Sequence, residues 1–402
     1  MSITELTLDQ LGAVARGRSR HRPRDAAFLY GGPYPFVQTG DVKKAGLYLR
    51  EYEQTYSEAG LSQSKLWPVG TLCITIAANI AETSILAIEA CFPDSVIGFI
   101  AAPDKSDARF VKYLFDAALK MRLRSFTQGA AQDNLSQEKL LSIRFPVPEV
   151  GVQKKIANIL SAYDDLIENN RRRILLLEEA ARLLYREWFV YCRFPGHEHV
   201  KMLDGLPEGW DRRKLGDLAI DVSYGFTESA NHDAEGPKFL RITDIVDGPI
   251  DWSSVPRCPI PGEKLQRFLL DAGDIVVART GATTGWARRI GRQNEPSVFA
   301  SYLVRFRFDE RYRPELAAIF MESDAYKAFV KANLGGAAQP NASAKVLGSA
   351  PVPVPTRKLQ NDFAESVAPT FEQIDVLMEQ NQKLAQARDL LLPRLMSGEI
   401  AA

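Results

Sequence analysis

The sequence predicts an α+β chain in which two related α/β units alternate with two long helices, and three observations carry that prediction. The run from Gln153 to Val190 is amphipathic and contains neither Pro nor Gly. A second amphipathic, Pro-poor run extends from Lys358 to Met396. The stretches that precede the two runs repeat one another, as tandem structural units do.

In the first run, Ile156, Leu160, Tyr163, Ile167, Asn170, Ile174, Leu177, Ala181, Leu184 and Trp188 follow at alternating steps of four and three. This is the spacing of a coiled-coil seam, and Asn170 is its polar member. A helix of this length runs roughly 55 Å at 1.5 Å per residue, too long for one small domain to cover, so it needs a partner helix. The second run supplies one, with Phe363, Val367, Ile374, Leu377, Leu384, Leu391 and Leu395 on a comparable stripe and Asn381 within it. Matching Asp164 with Asp375 pairs Asn170 with Asn381. A buried Asn in an apolar seam sets register at some cost in stability; the alternative is an exposed turn of helix. Pro369, early in the second run, is expected to kink it.

The repeat is read directly. Residues 129–136 are GAAQDNLS and residues 336–343 are GAAQPNAS, identical at six of eight positions with an offset of 207. The register continues through Pro146-Val147-Pro148 against Pro353-Val354-Pro355, and through Gln153 against Gln360. Leu8 and Leu11 match Leu215 and Leu218 at the same offset, while Phe36, Asp41 and Gly70 match Phe239, Asp244 and Gly273 at 203. Loop insertions between shared elements produce such a shift. Within the units, 72–79 and 95–102 read as strands and 107–123 as a helix. In the second unit 273–280 and 301–308 are the corresponding strands and 315–333 the helix.

With 402 residues, 46% hydrophobic and 25% charged, the chain is long enough for two or three folded domains. No signal peptide or membrane-spanning run is read, so a cytoplasmic location is expected. Cys73, Cys91, Cys192 and Cys258 are scattered and form no CxxC pair, which argues against disulfides. Net charge is zero, yet Arg16, Arg18, Arg20, Arg22 and Arg24 crowd one segment. Arg288, Arg289 and Arg292 crowd a second, and Arg305, Arg307, Arg311 and Arg313 a third. A neutral chain can thus present basic faces; the alternative is solvated loop charge.

Catalytic motifs are missing. No GxxxxGK[ST] loop, no GxSxG, no NPPF-like tetrapeptide of an amino-methyltransferase and no glycine-rich strand-to-helix turn occurs. Cys192, His197 and His199 lie close together, but a hydrophilic linker accounts for them better than a metal site. Polar residues suited to base edges recur instead: Gln132 and Asn134 in one unit, Gln339 and Asn341 in the other. Amide side chains pair bidentately with adenine, although Gln and Asn also brace turns. Arg279-Thr280-Gly281 ends a strand and offers a fork for guanine or phosphate, with Gly281 admitting close backbone approach. Asn79, in the counterpart Ile76-Ala77-Ala78-Asn79, and Arg241 complete the candidate DNA-facing set.

These features resemble the specificity subunit of Type I restriction-modification systems. The resemblance rests on the two GAAQxN loops leading into PVP and on QKKIANILSAYDDLIENNRR. LLPRLMSGEI, YREWF at 185–189, LPEGWDRRKLGDLA at 206–219 and GDIVVARTGATTG add to it, so that it covers nearly the whole chain. It implies two target recognition domains, at 1–150 and 193–355, each reading half of a bipartite duplex DNA target. It also implies two spacer helices, at 151–192 and 356–402, packed as an antiparallel coiled coil. The chain itself is then a non-catalytic reader without cofactor, docking two methyltransferase subunits and restriction subunits. S-adenosylmethionine, ATP and Mg belong to those partners. Ile76 and Ala77 depart from Arg-Thr-Gly, so no base contact is carried to them. Two rivals remain at this stage: a coiled-coil scaffold that binds no nucleic acid, and a nuclease, disfavoured for want of a metal-carboxylate cluster.

Overall fold

The computed structural model describes residues 3–127, 136–246, 248–334 and 341–402. Two compact units emerge: residues 1–169 together with 383–402, and residues 170–382. Each long helix contributes to both.

In the first unit, strands run in the order Gly12–Arg16, Val96–Ala101, Leu72–Thr75, Thr83–Leu86, Tyr48–Leu49. In the second, Asp221–Tyr224, Leu303–Arg307, Ile275–Ala278 and Ala287–Arg289 follow the same order. These four-strand sets are antiparallel throughout. Leu72–Thr75 and Ile275–Ala278 are wholly buried, as central strands covered on both faces must be, and both read as unbroken apolar or β-branched runs. The two units therefore share one topology.

A two-stranded ribbon closes each unit: Ile3–Leu6 pairs antiparallel with Phe145–Pro148, and Asp211–Lys214 with Pro351–Val354. The repeated PVP belongs here. Prolines two residues apart withhold their missing N–H groups from the same strand edge, so the other edge keeps a complete ladder. The short helices Gln137–Ser142 and Ala344–Gly348 precede these strands, and the repeated Ser136 and Ser343 cap them, accepting from Lys139 N at 3.1 Å and Val346 N at 3.2 Å. Leu8 and Leu11, like Leu215 and Leu218, are buried in the two main cores.

The predicted first helix forms as Val150–Tyr185, followed by a wider π-type turn, Arg186–Val190. Widening brings Phe189 as well as Trp188 inward, both ring-to-ring with Phe363 at 4.8 and 5.5 Å. The second helix is continuous over Arg357–Met396, and Pro369 lies exposed within it. The single helix expected at 315–333 is corrected: it is two, Pro314–Met321 and Asp324–Ala332. Ser323 breaks it, because its hydroxyl accepts from Tyr326 N at 3.2 Å and starts a new N-terminus.

Within the second unit the long helices are antiparallel. Asn170 bonds Asn381, Ile174 packs with Ile374 and Leu377, and Trp188 meets Phe363, so one number rises as the other falls. Leu177 flanks this cluster and Leu184 the main core. Within the first unit Ile156 and Leu160 share a core with Leu391 and Leu395, and Arg388 pairs with Asp164. Ile167 is buried; Tyr163 and Leu384 are partly so.

Candidate nucleic-acid interface

The repeated glutamines are structural. Gln153 Nε2 donates to Lys105 O at 3.0 Å and Pro148 O at 2.9 Å, while its Oε1 accepts from Asp107 N at 3.2 Å. Gln360 does the same for Pro355 O at 3.0 Å and Arg313 N at 3.2 Å. Each fully buried amide ties the strand leaving PVP to the start of the sheet-packing helix of its own unit.

Arg279 follows the central strand of the second unit. Its backbone N donates to Tyr302 O at 3.0 Å and its carbonyl accepts from Ala342 N at 2.8 Å. The guanidinium donates to Asn341 Oδ1 at 2.9 Å and Ala342 O at 3.3 Å, and lies 4.9 Å from the Tyr224 ring centroid. Thr280 bridges Asn341 in antiparallel fashion. Gly281 has φ +79° with open space where a side chain would stand, and its carbonyl accepts from Thr284 Oγ1 at 2.7 Å. Tyr224 and Tyr302 are substantially exposed, 42% and 60%. The result is an Arg–amide pair beside the accessible Tyr224 ring, anchored through the backbone of the exposed Tyr302. A guanidinium so placed offers donors to base acceptors or phosphate, and tyrosine rings stack on bases or sugars. Sequence reading found Arg279, Thr280, Gly281 and Asn341 but missed the tyrosines, whose strand-end positions look like ordinary core.

The equivalent position in the first unit is Ile76, whose backbone N donates to Ser95 O at 3.0 Å. Ile76 is 3% exposed and belongs to the core. Asn79 accepts from Lys43 Nζ at 3.4 Å through Oδ1. The intervening loop is tightly wound, with Ala78 and Ala81 at φ 60° and 64°.

Arg241 is held at its own corner, donating through Nε and Nη2 to Asp244 at 3.0 and 2.8 Å. Asp244 also accepts from Arg241 N, as Asp41 accepts from Gln38 N, both at 2.7 Å. The repeated aspartate thus braces a turn. Gln132, Asn134 and Gln339 lie outside the described residues.

Two of the three arginine clusters expected to form basic faces do not. Arg288 contacts Glu178 at 3.2 Å and Glu322 at 3.7 Å, and Arg289 contacts Asp375 at 2.7 Å. Burial holds the Glu178 carboxyl above its ordinary range, against the pull of Arg288. Arg305, 5% exposed, pairs with Asp221, and Arg307 with Asp274, each at 2.7 Å. Arg311 and Arg313 pair with Asp309 and Glu315. The charge of Arg288, Arg289, Arg305 and Arg307 is thus spent within the fold, while Arg292 and Arg311 stay exposed. Among the described residues no group of three or more His, Cys, Asp or Glu is placed to hold a metal ion. No helix among them is long and apolar enough to cross a membrane.

Residues 4–179 match the family described as Type I restriction modification DNA specificity domain. The chain is 25% identical over 389 residues to the Type I restriction enzyme MjaIX specificity subunit of Methanocaldococcus jannaschii, covering 92% of this chain and 88% of that one. To the MjaVIII specificity subunit of the same organism it is 26% identical over 298 residues, 72% of this chain and 70% of the relative. Over most of its length the chain thus resembles Type I specificity subunits. A solved Type I S subunit from M. genitalium shares the fold of this chain at TM-score 0.53 and 17% identity, over 98% and 96% of the two chains.

Proposed function

We propose that this chain is the sequence reader of a Type I restriction-modification complex, each of its units recognising one half of a bipartite duplex. One observation carries the reading: two units of the same strand order place unlike residues at the same position, Arg279 in one and Ile76 in the other. A shared scaffold with divergent loops suits two related but unequal half-sites. The duplication also offers equivalent surfaces to two copies of a methyltransferase subunit, with restriction subunits joining them. The chain acts without its own cofactor. S-adenosylmethionine, ATP and Mg are used by the partners, and the assembly works in the cytoplasm.

The test is co-expression with a Type I methyltransferase subunit from the same host, followed by mapping of N6-methyladenine across the host genome and binding of duplexes that carry the mapped site. A split recognition sequence bound far more tightly than scrambled duplex is the expected result. A complex that retains no DNA would instead make the chain a scaffold.

A further inference from the structure

The structure extends the repeat to a place where the sequences no longer look alike. Gly17 and Gly225 each follow the edge strand of their sheet. At Gly17 a Cβ would run into the carbonyl oxygens of Phe92 and Pro93, and at Gly225 into those of Phe299 and Ala300. The anchoring bonds correspond: Gly17 N to Val96 O and Arg18 N to Phe92 O in one unit, Gly225 N to Leu303 O and Phe226 N to Phe299 O in the other. Each glycine opens a loop of thirteen residues, 17–29 before strand Tyr30–Phe36 and 225–237 before strand Lys238–Leu240. The loops are equivalent in origin and in the anchorage of their first residues.

Their charges are opposite. Residues 17–29 hold Arg18, Arg20, Arg22, Arg24 and Asp25, a net charge of +3, whereas 225–237 hold Glu228, Asp233 and Glu235 with no Lys or Arg, a net charge of −3. In the basic loop the backbone is pinned. Gln63 Oε1 accepts from Arg20 N and His21 N, Ser64 Oγ donates to Arg18 O at 2.8 Å, and Tyr30 OH donates to Arg24 O at 2.8 Å. Arg24 pairs with Asp94, and Arg22 donates to the carbonyls of Ser19 and His21. The exposed Arg18 and Arg20 side chains have no partner among the described residues. In the acidic loop all three carboxylate residues are exposed, and none forms an ion pair among the described residues. Free guanidinium groups on a fixed backbone are a site for phosphodiester oxygens.

Resting on the DNA-reading proposal above, we propose that the 17–29 loop is the phosphate clamp of the first unit and that the 225–237 loop repels backbone phosphate. The grip on the duplex is therefore lopsided: the first unit carries the salt-sensitive hold, while the second relies on the Arg279–Asn341 patch.

The experiment uses the full chain purified with its methyltransferase partner and a short random-sequence duplex, so that only backbone contacts are read. Affinity is measured by fluorescence anisotropy between about 50 and 200 mM salt. R18Q/R20Q is expected to flatten the log–log salt slope by about 2 and to weaken binding about sixtyfold near ~0.1 M salt. E228Q/D233N/E235Q is expected to tighten binding. Both variants alter exposed side chains, and an unchanged melting temperature verifies folding. An unchanged slope in R18Q/R20Q overturns the clamp, and unchanged affinity in the carboxamide variant overturns the repulsion. Failure of the unmodified complex to bind at the lowest salt would overturn the DNA-reading proposal itself.

Discussion

Asn170 Nδ2 donates to Asn381 Oδ1 at 3.0 Å, joining the two long helices of the second unit by a side-chain amide pair inside an otherwise apolar seam. Asn170 is 6% exposed, so its partner is the condition of its burial. Replacing one member, as in N170L, leaves the other amide facing hydrocarbon and costs about 1–3 kcal/mol. The double change N170L/N381L removes both and is expected to restore or exceed the original stability, at the expense of a unique register. Urea denaturation of the three variants checks this; a single variant as stable as the parent would refute the pairing.

Gln153 makes three hydrogen bonds with backbone groups, and Gln360 makes two. Truncation to Ala strands those backbone groups. Each substitution is expected to cost about 1–3 kcal/mol, with Q153A the more damaging. Hydrogen exchange of the Asp107 and Arg313 amides, which lose their acceptor, would accelerate in the respective variant.

Arg279 should discriminate sequence in one half-site only. R279A is expected to cost about 1–3 kcal/mol on the cognate duplex and to relax preference in the half-site read by the second unit. N341A, which frees the guanidinium from its 2.9 Å acceptor, should relax the same positions with a smaller loss. Methylome sequencing of strains carrying each variant reads this out, and a uniform loss at every sequence would reassign Arg279 to phosphate.

Acid should loosen the second unit partly through Asp221. Burial pushes this carboxyl up, but hydrogen bonds from Arg305 and Ser223 and the Arg305 charge outweigh it and hold it below its ordinary 3.8. A depressed carboxyl stabilises fully above its unfolded value, and the contribution vanishes as pH falls through the lower folded value. D221N should therefore be less stable at neutral pH and show a shallower loss of stability below about pH 4. An unchanged acid profile would show that the Arg305 pair is energetically idle.

How much of this was legible depended on what each residue must do. The Ser and PVP repeats are legible because a helix cap and a ribbon edge tolerate few substitutes. Gln153 and Gln360 were matched for the same reason, although their role needed the structure. The long helices were readable from spacing alone, but the turn widened after Tyr185 was not, since it changes the period locally. Gly17 and Gly225 escaped notice because backbone crowding spares the glycine while every neighbour diverges. The arginine clusters misled for a different reason: Glu178, Asp221 and Asp375, which neutralise Arg288, Arg305 and Arg289, stand 84 to 110 residues away along the chain. Local composition cannot reveal a counterion that only folding delivers.

The first unit is discontinuous, since Leu391, Leu392, Leu395 and Met396 pack into the core built around Phe145, Ile156 and Leu160. On a ribosome, residues 170–382 can complete their unit as soon as they emerge. Residues 1–169 must instead wait, part of their apolar interior uncovered, until residues 383–402 have been made. Order of birth and order of maturation are thus inverted for the two units, and any stall in translation before residues 383–402 are made leaves the earlier unit exposed to chaperones and proteases.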